Sequence, residues 1–220
     1  IVQVVEEGAN PKKVEDGAAG FWAAYVPGNG GRSYPLGAAR RLPKGAVLQF
    51  QIHYTPNGKE VREQMQIGLV FARTPPQLEV KTIGVAKHDL KIPPRTPYHV
   101  ESKVQTVPFD LNITALMAHM HIRGRAFKYE ITAPDGREEV LLDIPHYDFN
   151  WQLSYEYKQP KFVPAGSKMR VTAVFDNSVF NKANPDPEKE VKWGPQTDDE
   201  MLIGYVEYVG PVGGRGKKQR

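Results

Sequence analysis

The sequence predicts an all-β protein built from β-sandwiches. Short apolar runs alternate with polar residues at a period of two, the pattern of half-buried strands. The 19 prolines and 20 glycines among 220 residues lie scattered between those runs, as turn punctuation does. No long amphipathic helical pattern is present. With 40% apolar and 25% charged residues, the chain can close a core.

The elements follow in order. Ile1-Val2-Gln3-Val4-Val5 reads as the middle of a strand, which suggests a fragment of a longer chain. Residues 46–54 place Leu48, Phe50, Ile52 and Tyr54 on one face, with Gln49, Gln51 and His53 on the other. Thr55-Pro56-Asn57-Gly58 is a turn signal. It leads into alternation over 64–72, with Met65, Ile67, Leu69 and Phe71 inward. The prolines and charges of 85–97 mark a junction between two units. Further strands are expected near 113–122, 125–133, 138–144, 149–157, 168–176 and 201–209. Pro134-Asp135-Gly136 closes a hairpin, and Phe149, Trp151, Leu153, Tyr155 and Tyr157 share one face of their strand. Residues 177–199 form a long polar connection of a length that is usually functional.

Composition excludes several classes. There is no cysteine, so disulfides, Cys-based zinc sites, iron–sulfur clusters and thiol nucleophiles are out. The net charge is +4, but Arg215, Lys217, Lys218 and Arg220 stand in the last eleven residues without an acid. The remainder is near neutral, which argues against a nucleic-acid surface and for a flexible basic tail over 210–220. No run of 18 apolar residues occurs, so no transmembrane segment is expected. Nucleophile elbows, phosphate loops, His-Glu-x-x-His and dinucleotide fingerprints are also absent.

One local pattern carries chemistry. His119 and His121 stand at i, i+2 on an expected strand and therefore on one face. That face also carries Ile113, Ala115 and Met117, and the opposite face Leu116, Ala118, Met120 and Ile122. Both faces are apolar, so the imidazoles are shielded and need a partner. The partner is a metal ion or a hydrogen bond. Taken singly, His53 reads as a surface or hydrogen-bonding residue, as do His88, His99 and His146 in Pro-rich turns. Met201, at the head of Met-Leu-Ile-Gly-Tyr-Val-Glu-Tyr, reads as a core methionine. Arg123 and Arg125 alternate onto the histidine face, either to bind an acidic group or to sit in solvent.

Three segments together resemble the copper type II, ascorbate-dependent monooxygenases, the family of the peptidylglycine α-hydroxylating and dopamine β-monooxygenases. They are LQFQIHYTPNG (48–58), MAHMHIRGRAF (117–127) and DEMLIGYVEY (199–208). YDFNWQ (147–152) and NPDPEKEVKWG (184–194) look like the bacterial branch. The resemblance implies two jelly-roll-like β-sandwich domains, the first incomplete. The expected division is 1–84 for the end of the first domain, 85–97 for a linker and 98–209 for the second domain.

By the same resemblance His119, His121 and Met201 match the ligands of the copper at which O₂ and substrate react. His53 matches one ligand of an electron-relaying copper. The family's adjacent His-His pair, which supplies that copper's other ligands, is missing from this sequence. One copper is therefore expected here, together with an ascorbate-type electron donor, an unidentified substrate and a periplasmic or secreted location. A His₂Met donor set suits copper, since thioether sulfur favours Cu(I) and imidazole serves both oxidation states. The competing expectation is a non-catalytic copper- or ligand-binding sandwich module of a larger redox or cell-surface protein. Structural zinc fits poorly, because methionine is a poor zinc ligand.

Overall fold

The computed structural model describes residues 1–7, 21–26, 28–54 and 57–213. The described residues hold fourteen strands and no helix. They are β1 (Val2–Val5), β2 (Phe21–Ala23), β3 (Ala38–Ala39), β4 (Val47–Phe50), β5 (Leu78–Ala86), β6 (Lys91–Ile92) and β7 (His99–Thr106), followed by β8 (Leu111–His119), β9 (Gly124–Thr132), β10 (Glu138–Ile144), β11 (Tyr155–Val163), β12 (Lys168–Phe175), β13 (Val191–Lys192) and β14 (Ile203–Pro211).

Two antiparallel layers make the sandwich. One has the order β10-β9-β12-β7. The other has the order β11-β8-β14-β5-β3, with only the short β3 parallel. The core lies between them. The four-stranded layer contributes Phe127, Tyr129, Ile131, Met169, Val171, Ala173 and Phe175, and the five-stranded layer contributes Val85, Leu111, Ile113, Leu116, Ala118 and Val206. Strict alternation in β12, where every second side chain is buried, sets the register of its layer. The layers meet so closely at Gly204 that a Cβ there would lie 2.7 Å from Val171 Cγ1 and 2.8 Å from the Tyr129 ring. The glycine is required by that approach.

The remaining strands form a small sheet, β2-β1-β4, and a two-stranded ribbon, β13-β6. The ribbon ties 91–92 to the long connection that follows β12. β5 pairs with β14 from Leu78↔Pro211 to Ala86↔Ile203. Residues 78–84, grouped with the first unit by the sequence reading, are thus hydrogen-bonded into the sandwich sheet, and part of 85–97 is strand. Its prolines, Pro93, Pro94 and Pro97, lie between β6 and β7 and belong to neither strand.

Two expected strands differ. Residues 64–72 form no regular strand, and Met65, Ile67, Leu69, Val70 and Phe71 are exposed. Alternation makes a strand only when a neighbouring edge accepts its hydrogen bonds, and among the described residues none does so here. The strand expected at 149–157 begins only at Tyr155. Asp148 turns the chain first, its Oδ1 accepting from Asn150 N at 2.8 Å and its carbonyl from Trp151 N at 2.9 Å. Trp151 is consequently 56% exposed rather than a core residue. The hairpin at 134–136 joins β9 to β10, with Gly136 at φ 86°. Thr55 and Pro56 of the expected turn, and residues 214–220 of the expected tail, lie outside the described residues.

Candidate metal centre

The centre begins with the pairing of β8 and β14. Ile203 faces His119, Tyr205 faces Met117 and Glu207 faces Ala115, after which Tyr208 faces Ile113. The skipped residue is Thr114, a bulge that reverses which side chains face inward. Leu111 and Ile113 point to the sandwich core, and so do Leu116, Ala118 and Met120 beyond the bulge. Ile113 therefore does not share the histidine face, as uninterrupted alternation had it. Ala115, Met117 and His119 occupy the outer face. There a second apolar cluster forms from Met117, Met201, Ile203 and Tyr205, with Phe21, Ala24, Ala86 and Trp193 packed against it. Phe21 stacks on Tyr205 with ring centroids 4.5 Å apart.

His119 and His121 lie together at this face, their ring centroids 5.2 Å apart at an interplanar angle of 78°. Each ring uses Nδ1 within the protein. His119 Nδ1 is 2.7 Å from Gln152 Oε1, and His121 Nδ1 is 3.1 Å from the Asp199 carbonyl oxygen. Gln152 Nε2 donates to the Phe149 carbonyl at 2.9 Å, so its oxygen is the end turned to the ring. Both acceptors require a proton on Nδ1, which leaves Nε2 of each ring with its lone pair.

The protonation balance agrees. Burial pushes the His119 imidazole down to about 4, helped by the neighbouring His121 and by the charges of His53 and Ile1, against the Gln152 hydrogen bond. Burial likewise pushes His121 down to about 4, with carbonyl hydrogen bonds opposing and His53 and Arg123 assisting. Both rings are neutral near pH 7, the form that binds metal.

Residues 199–201 serve this pair from the segment that leads into β14. Met201 is buried on the same outer face as Met117 and Ile203. Glu200 is fully buried, and Oε2 accepts from His121 N at 2.8 Å and from Met201 N at 3.3 Å. Its Oε1 accepts from Arg123 N at 2.6 Å. Burial pushes this carboxyl up to about 8, opposed by those N–H groups and the Arg123 charge. Every hydrogen bond it makes here is accepted from an N–H. Between the two histidines, Tyr147 Oη accepts from Met120 N at 3.0 Å and donates to Met120 O at 2.6 Å. Gly124 permits that approach, since a Cβ there would lie 2.8 Å from Met120 Cβ.

The remaining sequence candidates fall elsewhere. Arg123 is 1% exposed and donates to Asn177 Oδ1 and the Asp198 carbonyl, and Arg125 pairs with Asp176 at 2.8 Å. Arg123 is thus no solvated arginine, whereas Arg125 forms its ion pair at the surface with its side chain half exposed. His53 is exposed and lies past the end of β4. His88 stacks on Trp193 at 4.4 Å, and His99 bonds Glu101 at 3.1 Å. Among the described residues no group of three or more His, Asp or Glu converges. A metal at this face would thus take two imidazoles and a thioether, a soft mixed set that suits copper. Gln152, Glu200 and Tyr147 lie in segments that carry the resemblance, YDFNWQ and DEMLIGYVEY, but received no role from the sequence, because an amide, a carboxylate in an acidic loop and a tyrosine carry no spacing signal of their own.

Comparison with known proteins bears on the same region. A search of curated proteins found no significant match. A chain in a structure of infectious bursal disease virus, Gt strain, is similar at 14% identity over 80% of this chain, with a TM-score of 0.30. This chain spans 45% of that one. The family described as copper type II ascorbate-dependent monooxygenase, C-terminal domain, matches residues 79–215, which run from the second residue of β5 to beyond β14 and include His119 and His121. With well over half of its length matched, the chain belongs to the copper type II ascorbate-dependent monooxygenase family.

Proposed function

We propose that this chain carries the oxygen-reacting copper half-site of a monooxygenase that hydroxylates C–H bonds, with His119, His121 and Met201 as the ligands. The observation that supports it most is the disposition of the two imidazoles. Each Nδ1 is bonded within the protein, so Nε2 is the nitrogen a metal would take, and Met201 is buried on the same outer face. Copper bound there would supply one-electron redox chemistry toward O₂.

The protein's own residues do the rest. Gln152 and the Asp199 carbonyl hold the tautomers, and the apolar cluster of Met117, Ile203 and Tyr205 keeps the thioether away from water. Electrons come from an ascorbate-type donor. In this reading His53 belongs to a relay copper, and no His-His pair is present to complete it, so one copper is assigned to this chain. Arg123 is committed to Asn177 and Asp198 and is not free to bind an anionic substrate. A bacterial, periplasmic or secreted setting belongs to the same proposal. Among the described residues no helix is long and apolar enough to cross a membrane.

Titration with Cu(I), followed by X-ray absorption on the parent and on Met201→Ile, tests the assignment. The expected result is one tight copper with two nitrogen neighbours and one sulfur, the sulfur absent from the variant. Copper that ignores Met201, or none at stoichiometry, refutes it and favours a non-catalytic sandwich module.

A further inference from the structure

We propose that Glu200 is a positioning residue that couples the two ligand-bearing strands and sets where the Met201 sulfur stands relative to the His119–His121 pair. The inference rests on the copper reading above. Its starting point is where the backbone ladder stops. The β8–β14 pairing ends at Ile203↔His119. His121 and Met201 each lie two residues beyond that last pair, where no ladder bond fixes one against the other.

Glu200 occupies the gap. Its carboxylate takes the N–H of His121 at 2.8 Å and of Arg123 at 2.6 Å, two donors left without strand partners as β8 turns toward Gly124. Its own main chain is held by the ribbon side, with Glu200 N donating to the Lys192 carbonyl at 3.1 Å and its carbonyl accepting from Gly194 N at 3.2 Å. One fully buried side chain thus replaces the missing rungs and is bonded directly to Met201 N at 3.3 Å.

An Arg123–Glu200 ion pair does not explain the arrangement. The guanidinium is turned to Asn177 and Asp198, and only the Arg123 backbone meets the carboxylate. A buried carboxyl is tolerated where its hydrogen bonds are made, and this one takes three N–H groups. Here that geometry bridges the ligand histidine's backbone and the ligand methionine's backbone.

Glu200→Gln tests the inference. A glutamine has one acceptor oxygen, so its amide N–H₂ must confront one of the donors now bound. The expected result is a Cu(I) Kd raised about 10- to 100-fold, the usual range for loss of an outer-shell partner, with copper–sulfur scattering weakened or lost in X-ray absorption. Val163→Ala, a core truncation paired with Leu111 at the end of β8 far from the histidines, lowers stability and should keep both parent values, which separates positioning from general loosening. If Glu200→Gln does not fold, Glu200→Asp is read the same way, since the shorter side chain cannot reach all three N–H groups. Parent-like affinity and sulfur scattering in the folded variant overturn the inference and leave the copper reading standing. A parent without sulfur scattering overturns both.

Discussion

The side-chain oxygen of Gln152 stands 2.7 Å from Nδ1 of His119, across 33 residues of sequence. The amide is itself oriented by the Phe149 carbonyl, and the Gln152 carbonyl is tied to Asn29 Nδ2 at 3.0 Å. An imidazole held this way presents Nε2 in one direction. Gln152→Ala frees the ring to rotate and to change tautomer. Cu(I) affinity should fall roughly 10- to 100-fold, while sulfur scattering from Met201 persists. Competition with a chelator of known Cu(I) affinity measures it, and an unchanged Kd would remove Gln152 from the site.

Among the described residues Arg123 is the largest fully buried side chain. Arg123→Met removes the bonds to Asn177 and Asp198 and withdraws the positive charge near Glu200. A hydrogen bond from a charged donor to a buried acceptor is worth about 1.5–3 kcal/mol, and two are lost here. Urea unfolding should show that loss, and a change below about 1 kcal/mol would mean that the polar loop adjusts without it.

Gly204 marks the tightest approach of the two layers that the described glycines show at the core. Gly204→Ala places a methyl 2.7 Å from Val171 Cγ1. Overpacking of this kind costs about 1–3 kcal/mol, which for a chain of this length lowers Tm by several degrees. Thermal unfolding followed by circular dichroism reads it directly.

Asp176 supplies a pH dependence. Burial raises its carboxyl, but hydrogen bonds from Ser178 Oγ and N and from Arg125 outweigh that and hold it below the usual aspartate value. A depressed folded pKa contributes stability that is present above the unfolded value, near 4, and lost as pH falls through the folded one. The parent should therefore exceed Asp176→Asn in Tm near neutral pH, with the gap closing below about pH 4. A gap independent of pH would show that the carboxylate's charge is not what matters.

The sequence alone carried the all-β class, the strands around residues 125–133, 138–144 and 168–176, and the His-x-His pair. These rest on local rules: period-two burial, turn residues, and side chains two apart sharing a face. The assignment of Met201 came from resemblance and not from its own pattern. Tertiary structure decided what local rules cannot. The exposed apolar residues of 64–72 looked like a strand because alternation does not say whether an edge is there to pair with. Ile113 moved to the core because one bulged residue inverts every face behind it. Gln152 and Glu200 reached the histidines across 33 and 79 residues. A hydrogen bond spanning that distance is set by where two strands meet in space, and a single sequence carries no periodicity that records it.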